Sequence, residues 1–385
     1  MRILAIHNIL WSHYKARIFK GIQEIADAEQ FDFYVIQLAY TEHSRAALRT
    51  DLGTHQYNYR VLFPDDVLEN IKTLPKAQKL LAQVQAYRPT LVYLNGYYDL
   101  AYWLVMLYCR LKNIKIVLDF ESTETSRKRV WWKENLKKYF LNNCDGIVCL
   151  GTKAAEYLRR LNIPEYKILS TKNVGIDNDA LFQLHQAALG NRESNKKKFG
   201  LPPYNFIYAG RFVGRKNLLL LMKMFDSAQK KSANKDEWGL ILSGSGEDYG
   251  AMKELQKQLS NDSITFFEPC EWYEVPGRYA LADVAVLPST FEPFGFVTNE
   301  ALVYGMPVIV SERCGSAADL VVNGQNGFTF DPFNAADLED KLIAIMKMPE
   351  RFKEFGEVGQ KKIAEWHPDI IVNELMQAFK TVQKR

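Results

Sequence analysis

Two carboxylates, Glu292 and Glu300, stand eight residues apart in FEPFGFVTNEALVYGMPV, residues 291–308. Between them Gly295, Phe296 and Val297 read as a helix start, and Gly305-Met306-Pro307 as its stop. A helix beginning there leaves the N–H groups of Phe296 and Val297 without intrahelical acceptors, and the helix dipole adds to the anion site they form. Glu300 then lies one to two turns in, placed to accept hydrogen bonds from ribose hydroxyls. Glu292 precedes the helix and is aimed at whatever the anion carries. A phosphate beside a carboxylate is repelled, so the spacing suits a charged centre flanked by hydroxyls, as in a nucleotide-sugar. The plain alternative is a surface helix carrying two charges for solubility.

Further polar groups follow other apolar runs. In YAGRFVGRKNLLLLM, Arg211 and Lys216 sit beside Gly210 and Gly214, two cations in a glycine-containing loop that could clamp a diphosphate. Gly244 and Gly246 in LSGSGEDYG permit close backbone approach, but a lone G-x-G without its third glycine does not support nicotinamide binding. Near the N-terminus, HNILWSHYKARIFKG carries the polar residues His7, Asn8 and His13, open to a ligand or to a merely capping or solvated role.

What must position these groups is legible in the periodicity. RILAIH, FDFYVIQL, TLVYLNG, IKIVLDF and GIVCLG read as strands in the first half, and NFIYAG, WGLILSG, ITFFEP, VAVLP and PVIVS in the second. Amphipathic stretches such as YKARIFKGIQEIAD and LLLLMKMFDSAQKK alternate with them. Continuous apolar strands separated by helices predict α/β architecture with parallel sheets covered on both faces. Two such series in 385 residues predict two doubly wound domains. The polar run HQAALGNRESNKKKFGLPP, 185–203, reads as their linker. It gives domains 1–185 and 186–365, with 366–385 a C-terminal helix free to pack back on the first.

Composition narrows the class. With 47% hydrophobic and 24% charged residues, the chain is that of a folded globular protein. LAYWLVMLYC, 100–109, is half a bilayer span and is expected as a buried helix. The N-terminal stretch lacks the features of a secretory signal. Cys109, Cys144, Cys149, Cys270 and Cys314 form no C-x-x-C pair, which fits reduced thiols in a cytosolic protein rather than a disulfide frame or zinc site. Residues 1–172 hold 25 Lys/Arg against 17 Asp/Glu, and the remainder 24 against 28. The basic first half is therefore expected to face something anionic.

Taken together, GRFVGRKNLLLLM, GSG, the 291–330 stretch with its E-x7-E spacing, and NVGIDNDALF resemble the family 4 retaining glycosyltransferases. The resemblance is strong over roughly 170–345 and covers the first domain only in layout. It implies the GT-B fold, two Rossmann-like domains facing across a cleft that closes to exclude water. It also implies transfer of a hexose-type sugar from a nucleoside diphosphate, of UDP or GDP type, to a hydroxyl of a glycan, lipid-linked or small-molecule acceptor. Arg211 and Lys216 become the diphosphate pair, Glu292 the carboxylate at the transferred sugar, and Glu300 the ribose ligand. The backbone around Gly295 and Phe296 meets sugar and diphosphate. No cofactor or bound metal is expected. In the first domain VLDFESTETSRKR offers Asp119 or Glu121 as the residue near the reacting sugar. The paired glycines usual after the first strand are missing. An epimerase or phosphorylase on the same fold, and a non-catalytic sugar-nucleotide-binding subunit, are the rival readings.

SRKRVWWKENLKKYF, 126–140, sets Arg127, Lys128, Arg129, Lys133, Lys137 and Lys138 around Trp131 and Trp132. One reading is an ordinary helix with a solvated basic face and a core tryptophan. The other is an interfacial helix on anionic lipid, which would place a cytoplasmic enzyme at the inner face of the membrane. No nucleic-acid module accompanies the charge.

Overall fold

The computed structural model describes residues 1–10, 13–43, 52–126 and 129–385, without the side chains of His13 and Ser126. It divides into two compact units, residues 1–177 with 366–385, and residues 178–365.

Among the described residues the first unit holds seven strands: β1 (Arg2–Ile9), β2 (Asp32–Ala39), β3 (Tyr59–Val61), β4 (Leu91–Asn95), β5 (Lys115–Phe120), β6 (Gly146–Cys149) and β7 (Ile168–Ser170). They lie in the order β3-β2-β1-β4-β5-β6-β7, every pair parallel. Ile3, Leu4, Ala5 and Ile6 of β1 are all buried, because helices cover both faces and consecutive side chains point into opposite layers. The C-terminal helix Pro368–Lys384 packs against the helix His13–Glu29, where Val372 and Phe379 are buried.

The second unit repeats the plan with β8 (Tyr204–Ala209), β9 (Trp238–Ser243), β10 (Ile264–Phe267), β11 (Val284–Leu287), β12 (Val308–Ser311) and β13 (Gly327–Phe330). Their order is β10-β9-β8-β11-β12-β13, again all parallel. Strand order reverses between β1 and β4 in one sheet and between β8 and β11 in the other. There, loops leaving the strands' carboxyl ends diverge and open a crevice for ligands.

Two sequence expectations need correcting. The stretch read as a linker is helical, over Asn178–Leu189 and Arg192–Phe199, and the division between units falls after Asp177 rather than at 185/186. Its charges are anchors: Arg192 donates to the carbonyls of Ala280 and Ala282 at 2.9 and 3.0 Å and pairs with Asp283, as does buried Lys196 at 3.5 Å. Likewise the helix Leu100–Leu111 is buried on one face only. Ala101, Tyr102, Val105, Met106 and Cys109 point inward, while Leu100, Leu104, Leu107 and Leu111 are exposed.

Candidate active site

The loops after β8 and β11 flank the switch point of the second sheet, and they are tied together. Thr290 donates its backbone N–H to the carbonyl of Arg215 at 2.8 Å, and the Arg215 guanidinium reaches the carbonyl of Phe291 at 3.2 Å. This brings Glu292 onto two cations. Its Oε1 accepts from Arg215 Nη1 at 2.7 Å and from Lys216 Nζ, and both Glu292 and Lys216 are buried.

The backbone of Glu292 is fixed from the other side. It bridges Cys314, and its carbonyl accepts from the N–H of Gly315 at 3.1 Å. A Cβ on Gly315 would stand 2.0 Å from the carbonyl oxygen of Pro293, so only glycine fits there. The small residues after β12 thus serve as the seat for the Glu292 loop.

The helix expected after Gly295 spans Phe296–Val303. Gly295 precedes it at φ +97°, a left-handed conformation costly for other residues. Val297 is part-exposed at the helix's open end. One turn on, half-buried Glu300 accepts from the Tyr279 hydroxyl at 3.2 Å. Burial pushes its carboxyl up to about 7, with the Tyr279 hydrogen bond pulling the other way.

Arg211 stands apart from this cluster. Its guanidinium is exposed and has no ion pair among the described residues, while its carbonyl accepts from the buried Tyr208 hydroxyl at 2.9 Å. Gly244 has its close approach to the loop carrying Arg211: a Cβ there would lie 1.9 Å from the carbonyl oxygen of Gly210. The glycine therefore answers to a neighbouring loop of the protein.

In the first unit, Asp119 at the end of β5 is 2% exposed. Its Oδ2 accepts from Lys15, from the Tyr93 hydroxyl at 3.0 Å and from Asn95 at 2.9 Å, and its Oδ1 from Asn173. Glu121, two residues on, is exposed. His7 is buried with Nδ1 directed at Gln37 Oε1 and the Ile9 carbonyl, at 2.9 and 3.1 Å, and burial together with Lys15 lowers its pKa to about 4. Asn8 donates to Asn95 at 3.0 Å. His7 and Asn8 are thus parts of the unit's internal polar network. The His13 side chain, Arg127 and Lys128 lie outside the described residues. Trp131 and Trp132 are both exposed.

Sequence reasoning did not single out Arg215 or Tyr279. Arg215 stands next to Lys216 in a loop already suspected, but adjacency does not say which of Arg211 and Arg215 turns inward. Tyr279 lies in a different element from Glu300, with no local pattern linking them.

Comparison with known proteins accords with this layout. The family model described as "Glycosyltransferase Family 4" matches residues 26–171, and that described as "Glycosyl transferases group 1" matches residues 191–362. D-inositol 3-phosphate glycosyltransferase 2 of Catenulispora acidiphila is 26% identical over 224 residues, 55% of this chain and 50% of that protein. The chain's match spans half the length, or less, of several of the curated relatives, this one included. Among solved structures, sucrose-phosphate synthase from Thermosynechococcus elongatus superposes with a TM-score of 0.73 at 17% identity, covering 99% of both chains. HepE of Anabaena, in complex with UDP and glucose, gives 0.73 at 16% identity over the whole of each chain. Two parallel Rossmann-like sheets, a family match on each and whole-chain structural likeness lead to one conclusion: the chain belongs to the family 4 glycosyltransferases of GT-B fold.

Proposed function

We propose that this glycosyltransferase moves a hexose-type sugar from a nucleoside diphosphate to an acceptor hydroxyl, with retention at the anomeric carbon. The bond from that carbon to the diphosphate oxygen breaks, a bond to the acceptor oxygen forms on the same face, and the acceptor proton passes to the departing phosphate. The observation that carries the reading is buried Glu292, fastened to Arg215 and Lys216 at the switch point of the second sheet.

Cations fixed at the crevice neutralise charge developing on the leaving diphosphate, so the protein itself supplies what a metal would otherwise provide. Lys216 and exposed Arg211 take that role in the proposal, with the helix end at Gly295, Phe296 and Val297. Two cations on Glu292 Oε1 draw electron density from it, which favours orienting the transferred sugar over attacking it. Glu300 takes the ribose hydroxyls. Of Asp119 and Glu121, Glu121 is the one exposed to solvent, where a substrate can reach it, whereas Asp119 is buried. UDP is the first donor base to try, since HepE was solved with UDP and with UDP-glucose. The acceptor is a glycan, a lipid-linked sugar or a small molecule, and exposed Trp131 and Trp132 support a cytoplasmic enzyme peripheral to a membrane.

The test pairs binding with turnover. A nucleotide at one hundred times its dissociation constant adds about 2.7 kcal/mol to the folded state. UDP or GDP is therefore expected to raise the melting temperature. Glu292→Gln is expected to lower kcat/KM at least about 100-fold, about 2.7 kcal/mol of transition-state stabilisation. Undiminished transfer in that variant, or epimerised sugar or sugar phosphate as the product, overturns the reading.

A further inference from the structure

The first unit carries an apolar face that its own core does not use. On the helix Leu100–Leu111, Leu100, Leu104, Leu107 and Leu111 recur at steps of four, three and four, one stripe of a helix, and all four are exposed, Leu111 at 81%. Beside it runs the helix Trp131–Asn142, joined by Trp103, which stacks on Tyr139 at 6.3 Å and meets Phe140 edge-on at 5.0 Å. Trp132 and Leu136 extend the apolar surface on that helix and are likewise exposed. Exposed apolar side chains gathered on one face in this way point to an interaction site.

Charge selects the occupant. No Asp or Glu lies between residues 100 and 118, and the helix Trp131–Asn142 has one, Glu134. That carboxylate is engaged by Arg129, Lys137 and the Tyr157 hydroxyl. Lys112, Lys133 and Lys138 have no ion pair among the described residues, and Lys133 lies 5.3 Å from the Trp132 ring centre. An apolar stripe with unpaired lysines and exposed tryptophans matches a bilayer surface bearing anionic headgroups, where leucines enter the acyl boundary and lysines meet phosphate. A second copy of the same face would bring like charges together.

We infer that the helices Leu100–Leu111 and Trp131–Asn142 form one docking face for an anionic lipid surface, with the leucine stripe as its inserted part. This rests on the peripheral reading of segment 126–140 and moves the centre of contact to a helix that segment does not include.

The experiment is vesicle flotation of the full chain, with neutral phosphatidylcholine vesicles and with vesicles containing anionic phosphatidylglycerol. The wild type is expected to bind the anionic vesicles more tightly. Leu104→Ser/Leu107→Ser/Leu111→Ser replaces only exposed side chains and is expected to lose binding at least about tenfold. Lys133→Glu/Lys138→Glu is expected to lose about fivefold for each residue changed, and added salt should weaken the wild type. Unaltered binding by the leucine variant, with loss in the lysine variant, overturns this inference and leaves the peripheral reading standing. Absence of binding to any vesicle overturns both. A wild-type dimer in light scattering that the leucine variant converts to monomer, without vesicle binding, assigns the face to a second copy and also overturns it. Circular dichroism confirms that each variant is folded.

Discussion

Each unit keeps a buried carboxylate near the carboxyl ends of its strands with a lysine against it, and the two carboxylates are built for different ends. Asp119 meets Lys15, Tyr93, Asn95 and Asn173, all from its own unit, so each carboxylate oxygen has its donors inside the fold. Glu292 meets cations from a single loop, Arg215 and Lys216; exposed Arg211 belongs to that same loop, and part-exposed Val297 to the helix that follows Glu292. A carboxylate surrounded by internal donors on several elements holds a sheet together. One fastened to two cations of a single loop at the sheet's switch point can exchange partners when an anion arrives. Placement at a strand end does not distinguish the two; the origin of the donors does.

The sharpest way to break the comparison is to remove the charge of Asp119. Asp119→Asn leaves Lys15 buried opposite a neutral group, and stranding one partner of a buried pair costs about 3–5 kcal/mol. Urea unfolding is expected to show that loss in the first unit. Glu292→Gln should instead register chiefly in turnover. If Asp119→Asn proves as stable as the wild type yet inactive, the two carboxylates have exchanged roles.

A smaller effect is expected at Gly295. Alanine there must adopt φ +97° and set its Cβ 2.6 Å from Leu287 Cδ2. The backbone term is about 1–2 kcal/mol, and the shifted helix end should also weaken nucleotide binding. Calorimetric unfolding and UDP titration of Gly295→Ala report the two parts separately. A loss of stability with nucleotide affinity intact would remove the helix end from the site.

The contrast also explains what the sequence could disclose. Long apolar runs made most strands of both sheets legible, because burial on two faces demands consecutive apolar residues whatever the tertiary detail. The edge strands β3 and β7 have three residues each and part-exposed faces, too short to stand above the background. The 185–203 stretch looked like a linker because Arg192 and Lys196 find their partner Asp283 some ninety residues away, and no local pattern signals that. The E-x7-E spacing drew attention to Glu292 and Glu300. It could not say that Arg215 rather than Arg211 turns toward Glu292, since that depends on how two loops pack. Asp119 and Glu121 looked equivalent for the same reason: two positions in sequence separate a saturated interior from an exposed end.

The finest distinction concerns Glu300, whose carboxyl burial raises from 4.5 to about 7 while the Tyr279 hydroxyl partly offsets the shift. Between those two pH values the folded protein keeps a proton that the unfolded chain has lost. Stability therefore falls as pH rises across that window and levels off above it. Glu300→Gln should abolish that slope. Ligand binding has the opposite sign: ribose hydroxyls donate to the ionised carboxylate, so nucleotide affinity should rise as pH increases through about 7. Tyr279→Phe deletes a hydrogen bond that favours ionisation, so the rise should move to higher pH, with a loss of about 0.5–1.5 kcal/mol in affinity near neutrality. Titrating UDP into wild type and both variants across the neutral range reads the shift directly. A binding profile that is flat in pH and indifferent to Tyr279 would take the ribose away from Glu300 and leave it, like Asp119, a structural acid.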